Sequence, residues 1–320
     1  MKRIKNFTII ILITLFSAEL YSQEREELIP FADMEQWTVR HIKESILLGG
    51  KTKTIYVLAP TDTIDKNEAF DYSRTPWGIS NAYANVMGVE KAANTTAPEK
   101  RDSGYCARLD TRMETVKVLG MVNVRVAIAG TLFLGSVIEP IRSANDPYGC
   151  ISFGIPFNKK PKALVFDIKA NISPEQTLTK ALGVFVSEIE GHDEAQIYLY
   201  LQKRWEDEKG NIFAKRIGTI YQKIDKSIPE WENNKRFEIL YGDITQRADF
   251  KPIQGLLPAV APCRALNSKG KLKEIQELEW GTEDDEPTHL MIMFSSGCYQ
   301  AFYGHLGNSI WIDNIRLVYQ

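Results

Sequence analysis

The stretch Ser309-Ile-Trp-Ile-Asp-Asn-Ile-Arg-Leu-Val-Tyr319, near the end of the chain, points to the fold class. Its apolar residues form two alternating sets, first Ile310 and Ile312, then Ile315, Leu317 and Tyr319. Such alternation is typical of a β-strand with one face buried. The pair Asp313-Asn314 shifts the alternation by one residue, which predicts a β-bulge at an acidic position.

A strand with a buried face needs a neighbour that continues its sheet. The segment Phe31-Ala-Asp-Met-Glu-Gln-Trp37 is the predicted partner of Ser309–Tyr319. We therefore expect the two ends of the chain to meet and close the fold.

Short segments rich in β-branched and aromatic residues recur along the chain, and no sustained helical periodicity interrupts them. The charged run Glu206-Asp-Glu-Lys-Gly-Asn211 is typical of a hairpin turn between two of these segments. This density of strands predicts an all-β fold, a β-sandwich and most simply a jelly roll. The further predicted strand regions are Ile46–Leu58, Trp77–Val86, Thr115–Leu134, Ile151–Phe157, Pro161–Ala170, Glu188–Trp205, Ile212–Tyr221, Arg236–Tyr241 and Thr288–Ser295.

The first residues have the layout of a secretory signal peptide. Lys2, Arg3 and Lys5 precede the apolar run Phe7–Phe16, which is too short to span a bilayer as a helix. We predict a signal peptide over residues 1–22, cleaved after Ser22, and a single domain over residues 23–320. The mature protein is then expected in the periplasm or at the outer cell surface, without a transmembrane segment.

Net charge and cysteine count bear on nucleic-acid binding and on disulfide formation. The formal net charge of -2 gives no basic surface for nucleic acid. An exported protein matures in an oxidising compartment, so the four cysteines could form two disulfides in any of three pairings. Buried thiols are the alternative. These residues are Cys106, Cys150, Cys263 and Cys298.

Several segments together resemble a known family, the putative carbohydrate metabolism domain proteins exported by glycan-degrading Gram-negative bacteria. The resemblance extends over Phe31–Gln320. It implies a jelly roll like that of carbohydrate-binding modules and a role connected with carbohydrate. The segments that carry it are Gly154–Phe157, Pro161–Leu164, Gln196–Arg204, Met293–Ser296, Phe302–Gly304 and Ser309–Tyr319.

A candidate calcium site involves both ends of the chain. Met34-Glu35 and Ile312-Asp313-Asn314 resemble the paired acidic motifs that hold calcium in many jelly-roll carbohydrate-binding modules. Calcium takes six to eight oxygen ligands, so Glu35 and Asp313 with backbone carbonyls would form a suitable skeleton. The alternative is that both carboxylates face solvent or cap turns.

Aromatic side chains in turn-like settings are candidate sugar platforms, because sugar rings present apolar C–H faces. Trp77 and Tyr83 flank Ser80-Asn81, Trp205 ends a predicted strand, and Trp231 follows a proline. We predict these four aromatics as ligand-binding residues. The alternative for each of them is packing in the core. Trp37 and Trp311 lie in strand patterns and are weaker candidates.

Paired carboxylates are the catalytic groups of glycoside hydrolysis. The cluster Glu188, Glu190, Asp193 and Glu194 surrounds His192, and Glu139 precedes a proline. Strand alternation sends neighbouring side chains to opposite faces, so a solvated loop is the simpler interpretation. The acidic run Glu283–Glu286 is interpreted as an exposed turn.

The sequence thus predicts an exported module that binds a polysaccharide or oligosaccharide without catalysis. It contains no Gly-rich phosphate loop, no Gly-x-Ser-x-Gly elbow and no His-Glu-x-x-His pair. Two other classes stay open: a glycoside hydrolase or lyase that uses paired carboxylates, and a surface adhesin or assembly component with a protein partner.

Overall fold

A computed structural model describes residues 24–118, 122–143, 146 and 148–320. The predicted signal peptide lies outside these residues. The strands of the first part are β1 Arg25–Leu28, β2 Trp37–Lys43, β3 Thr52–Leu58, β4 Asp62–Ile64, β5 Trp77–Ile79, β6 Ala82–Val86, β7 Val89–Ala93, β8 Thr96–Arg101, β9 Gly104–Asp110, β10 Arg112–Val118, β11 Val122–Ile128, β12 Thr131–Val137 and β13 Ile151–Phe153.

The second part continues the same all-β pattern. Its strands are β14 Ile155–Pro156, β15 Ala163–Asn171, β16 Thr177–Gly183, β17 Phe185–Glu190, β18 Ala195–Glu206, β19 Ile212–Ile224, β20 Ile228–Glu238, β21 Leu240–Tyr241, β22 Arg264–Leu266, β23 Leu272–Trp280, β24 His289–Ser295, β25 Tyr303–Gly304 and β26 Ser309–Tyr319. Short 3-10 helices cover Ile46–Leu48, Tyr72–Arg74 and Pro252–Gln254.

Two sheets form a sandwich. The narrow sheet has the order β20-β15-β26-β9-β8, with β1 also paired to β26. The wide sheet has the order β13-β12-β24-β18-β19-β23-β22, with β5, β14 and β21 on its flanks. Smaller sheets are formed by β10-β11-β16-β17 with β25, by β3-β2-β4, and by β6-β7. The all-β sandwich is confirmed, while the jelly roll and the single domain over residues 23–320 stay predictions.

The main core lies between the narrow and wide sheets. Phe166 of β15 packs edge-on against Phe294 of β24, with ring centroids 5.0 Å apart. Alternate residues of each strand point inward, as the pleat requires. Buried members of this core include Leu164, Ile310 and Ile312 from the narrow sheet and Ile197, Leu199, Leu201 and Ile292 from the wide sheet.

Strand β26 is central to the narrow sheet. It pairs with β15 on one side and with β9 and β1 on the other. The register against β15 shifts between Val165 and Asp167, so the predicted bulge at Asp313-Asn314 is confirmed.

The predicted partner strand Phe31–Trp37 is wrong, because the pairing strand is β1 and Trp37 begins β2 instead. The predicted meeting of the two ends is nevertheless confirmed. Arg25 lies opposite Tyr319, and the N–H of Ile315 donates to the carbonyl of Ala32 over 3.1 Å.

A second apolar layer covers the other face of the wide sheet. Tyr198 and Tyr200 of β18 stack there with centroids 4.6 Å apart. Leu257 and Cys263, from the segment between β21 and β22, are buried against this face. The same segment includes Leu256, which borders the candidate site.

Cys106, Cys263 and Cys298 are free thiols. Two disulfides would use all four cysteines, so that arrangement is absent; Cys106 and Cys263 are buried thiols, and Cys298 is a half-buried one. Burial raises the pKa of Cys106 and of Cys263 to about 12, and that of Cys298 to about 11. Within the described residues, no helix has the length and apolar character needed to cross a bilayer.

Candidate functional site

The candidate site forms where one edge of β19 changes partner. The first half of β19 pairs in parallel with β23 as far as Arg216 and Trp280. Gly218 and Thr219, which follow shortly after on β19, pair with β21 instead. Since two strands meet the same edge end to end, their outgoing chains must diverge at this point.

Two glycines mark the divergence. The N–H of Gly281 donates to the carbonyl of Arg216 over 2.9 Å, and the N–H of Gly242 donates to that of Ile217 over 2.8 Å. Gly242 has a φ of 78°, a left-handed conformation that glycine adopts without strain. The chains therefore leave consecutive residues of β19 in different directions and enclose a groove.

This groove, called here the Trp280 groove, has a volume of about 630 Å³. That volume falls within the usual range for small-molecule sites. It is open to solvent along its length, and its lining combines aromatic, aliphatic and acidic side chains. The lining residues are Tyr241, Gly242, Asp243, Leu256, Leu278, Glu279, Trp280, Gly281, Thr282 and Glu283.

A buried ion pair supports the aromatic wall. The Arg216 guanidinium lies 5.8 Å from the Trp280 ring and 3.4 Å from that of Tyr200. Its Nε and Nη2 donate to Oε1 and Oε2 of Glu277, each over 2.5 Å. The N–H of Leu257 also donates to Glu277 over 2.7 Å. The buried Arg216–Glu277 pair thus lies within cation–π distance of the Trp280 ring.

The rim of the groove is fixed by short polar contacts. Oδ2 of Asp285 accepts from the N–H of Thr282 over 3.1 Å, and Oδ1 of Asp243 accepts from the N–H of Thr245 over 2.9 Å. Such contacts stabilise turns. Glu279 pairs with Lys215 over 2.7 Å, and this hydrogen bond raises the pKa of Lys215. The groove therefore offers carboxylate acceptors beside an aromatic face.

Two of the predicted platform residues lie in the interior. Trp77 is 0% exposed, and its Nε1 donates to the carbonyl of Pro30 over 2.8 Å. Tyr83 is 3% exposed, and its hydroxyl donates to Glu90 over 2.8 Å. The expectation of a surface platform at these residues is wrong, because neither ring has a face free for a sugar.

The pair Ser80-Asn81 suggested a turn beside Trp77, but the neighbouring glycine belongs to a strand. In fact Gly78 lies in β5, where a Cβ atom would come within 2.3 Å of the Phe133 ring. The absence of a side chain at Gly78 leaves room for the Phe133 ring inside the packed sheet. This glycine is therefore a sign of a buried strand and not of a loop.

The other two predicted aromatics lie nearer the surface, outside the Trp280 groove. Trp205 is 40% exposed and stacks on Phe213 with centroids 6.1 Å apart. Trp231 is half-buried, and the Arg101 guanidinium lies 3.8 Å from its ring. Sugar binding by Trp205 or Trp231 stays a prediction.

The proposed calcium ligands lie near the β8–β9 hairpin, each with its own partner. Asp313 and Asp167 both bond to Nη1 of Arg101, over 2.7 and 2.9 Å. Oε1 of Glu35 accepts from the N–H of Tyr105 over 3.0 Å. The described residues contain no group of three or more His, Cys, Asp or Glu arranged around a metal position. Calcium binding by Glu35 and Asp313 stays a prediction.

Burial and hydrogen bonding act oppositely on the two carboxyls that share Arg101. Burial raises the pKa of Asp313 to about 6, although Arg101 acts to lower it. Burial also acts to raise the pKa of Asp167, but bonds from Asn234, Asn314 and Arg101 outweigh it and lower that pKa. The Arg101 guanidinium thus neutralises an acidic pair on adjacent strands.

The carboxylates considered for hydrolysis are dispersed. Glu139 is buried in an ion pair with Arg40 over 2.8 Å. Asp193 is buried and accepts from the N–H groups of Cys298 and His305, while burial raises its pKa. Glu188 and Glu190 are exposed on β17. Asp193 and Glu194 both contact Cys298, whereas Glu139 has a different set of partners.

Trp280 and Tyr241 were not predicted as site residues from the sequence. Trp280 ends β23, whose Lys and Glu residues obscure the strand pattern. The sequence feature that could have indicated the site is Trp280-Gly281, which is separated by Thr282 from the acidic run that begins at Glu283. Trp205 has the same setting, since it is also an aromatic residue at a strand end beside a polar turn.

The fold and the groove define an all-β sandwich with an open aromatic and acidic cleft. The family model described as "Putative carbohydrate metabolism domain" matches residues 52–239, and the chain belongs to this family. The predicted family is thereby confirmed over residues 52–239, while the predicted extent over Phe31–Gln320, the jelly roll and the export stay predictions. All of the groove lining, from Tyr241 to Glu283, lies beyond the matched residues.

Two solved structures are similar to this chain. A structure described as a putative glycoside hydrolase from Bacteroides thetaiotaomicron has 20% identity and a TM-score of 0.45, over 88% of this chain and 71% of that one. Another, described as a putative glycoside hydrolase from Bacteroides vulgatus, has 14% identity and a TM-score of 0.39, over 92% and 94%. No curated protein matches the chain.

Proposed function

We propose that the protein is an exported, non-catalytic module that binds a glycan in the Trp280 groove. The observation that carries this proposal is the open groove of about 630 Å³, in which Trp280 stands beside acidic side chains. Membership of a carbohydrate-metabolism family supports a sugar as the ligand.

The chemistry of the groove suits a sugar. The apolar C–H face of a pyranose ring packs on an aromatic plane, and Trp280 offers the largest such plane in the lining. Asp243, Glu279 and Glu283 can accept hydrogen bonds from sugar hydroxyls, and bonds to ionised acceptors are the stronger kind. The hydroxyl of Tyr241 already donates to Pro161 over 2.7 Å, so this residue contributes its ring.

The test is a glycan array followed by titration calorimetry with the tightest ligand. Trp280→Ala should weaken binding about tenfold or more, since central aromatic anchors contribute most of the energy of an interface. Phe185→Ala is the control, because it removes an exposed aromatic ring from outside the groove, at a position not predicted to bind sugar. An array without any bound glycan, or equal affinity for wild type and Trp280→Ala, would refute the proposal.

Glycoside hydrolysis is the second candidate function. It is favoured by three carboxylates, Asp243, Glu279 and Glu283, on one open groove. Release of reducing sugar from a polysaccharide panel, abolished by Asp243→Asn or Glu279→Gln but not by Glu188→Gln, would support it. Absence of release by the full chain, with binding retained, supports the non-catalytic module.

A further inference from the structure

We infer that the Trp280 groove selects glycans without carboxylate or sulfate groups, an inference that rests on the proposed glycan binding. The argument starts from the charges of the lining. Asp243, Glu279 and Glu283 are acidic, and the described lining contains no Lys, Arg or His. The groove therefore presents negative charge beside its aromatic wall.

The basic side chains around the groove are already engaged. Lys215 pairs with Glu279 over 2.7 Å, Lys203 with Asp285 over 3.0 Å, and Lys160 with Glu286 over 3.1 Å. Arg216, behind Trp280, is fully buried in its pair with Glu277. An acidic sugar would have to break one of these pairs to gain a cation.

Two carboxylates have no ion-pair partner among the described residues, although Nζ of Lys160 donates to the backbone carbonyl of Glu283 over 2.8 Å. Lys215 balances Glu279, but within the part of the chain that the structure describes, no ion pair involves the side chain of Asp243 or Glu283. Both side chains are exposed at the rim. A ligand carboxylate or sulfate held between them would meet like charge on entry.

Neutral and amino-bearing sugars meet no such obstacle. Hydroxyl, acetamido and ammonium groups all donate hydrogen bonds, and ionised carboxylates are acceptors only. The same two side chains that repel an acidic glycan thus bind an uncharged or basic one. Selectivity of this kind comes from a repulsive element as much as from an attractive one.

The test uses the full chain against immobilised neutral, amino-bearing, uronic and sulfated polysaccharides, with EDTA present to prevent bridging by divalent cations. We expect the neutral or amino-bearing set to contain the tightest ligand. Polygalacturonate should bind at least about tenfold more weakly than its methyl ester, and the difference should shrink in high salt.

A matched pair of double variants isolates the cause. Asp243→Asn with Glu283→Gln should increase retention of polygalacturonate severalfold. Glu188→Gln with Glu190→Gln changes net charge equally, on exposed positions of β17, and should have no effect. Equal retention in both double variants would overturn the electrostatic explanation.

The outcomes separate this inference from the proposed function. Tightest binding to an acidic glycan, lost in Trp280→Ala, overturns the selectivity and leaves glycan binding in the groove intact. Binding to no polysaccharide overturns both.

Discussion

Glu277 illustrates how a single residue can support both the fold and the site. Its two oxygens bond Arg216, and the pair is fully buried. Removal of one member of a buried pair typically costs about 3–5 kcal/mol, because the other charge is left without compensation. We expect Glu277→Leu to lower the free energy of unfolding by that amount, as measured by urea denaturation.

The control for this prediction is the double variant Arg216→Met with Glu277→Leu. Replacement of both charges by apolar groups should recover part of the loss, since no buried ion is left unpaired. If the double variant loses as much as the sum of the two single variants, the account of the pair as a coupled unit is wrong.

His289 sets a pH dependence at the residue scale. Burial, with Arg204 nearby, lowers its pKa from 6.5 to about 4. The unfolded chain therefore binds more protons than the folded protein between these pH values, and stability falls as the pH drops from about 6.5 to about 4. The full shift corresponds to about 3 kcal/mol, and the half-buried ring should show about 1–2 kcal/mol of it.

The measurement is the melting temperature of wild type and His289→Gln at several pH values from 7 to 4. The variant has no imidazole to protonate, so its melting temperature should fall less on the acid side. Parallel curves for the two proteins would contradict this prediction.

At the scale of elements, Arg101 ties neighbouring strands together. It lies on β8, bonds Asp167 of β15 and Asp313 of β26, and packs on Trp231 of β20. Arg101→Met would leave two carboxylates facing each other across paired strands. We expect a loss of about 2–4 kcal/mol in unfolding free energy at pH 7.

Lys169→Met is the matched control for Arg101→Met. Lys169 lies on β15 and has its ammonium 5.1 Å from the Trp311 ring, but it forms only this cation–π contact among those described. Its loss should cost less than about 1 kcal/mol. Similar losses in both variants, by thermal or chemical denaturation, would show that the bridge across the strands is unimportant.

Strand β26 could be predicted from sequence, and β1 could not. In β26 a buried face imposes alternation, which survives as a pattern even through the bulge at Asp313. Strand β1 reads Arg-Glu-Glu-Leu and has no buried residue, so no apolar alternation reveals it; its pairing with β26 uses backbone hydrogen bonds and polar contacts such as that of Glu26 with Arg316. Edge strands with polar side chains are hidden from periodicity for this reason.

The site was less predictable than the fold. Trp77 is packed because β5 pairs with β12 of the wide sheet. Its partner in that pairing, Leu134, lies more than fifty residues further along the chain. The Trp280 groove depends on β21 and β23 meeting the same edge of β19. Local sequence patterns do not show which distant segments come together. Aromatic binding residues could therefore be expected from the sequence, but their position in the fold could not.

At the scale of the whole molecule, the pairing of β1 with β26 makes the chain nearly circular. Arg25 and Tyr319 are directly opposed, and opposed residues of antiparallel strands have Cα atoms about 4.5–5.5 Å apart. A linker of about five glycine and serine residues could join the last residue to Glu24. New ends could then be opened between Met87 and Gly88, at a turn where the Met87 side chain is 99% exposed.

Such a permutant of residues 24–320 should fold with a melting temperature within a few degrees of the parent chain, measured by circular dichroism. A permutant opened inside β26 at Ile312, a fully buried position, should fail to fold. Connectivity and architecture are separable here: the sandwich needs its last strand in the middle of a sheet, but it does not need that strand to be synthesised last.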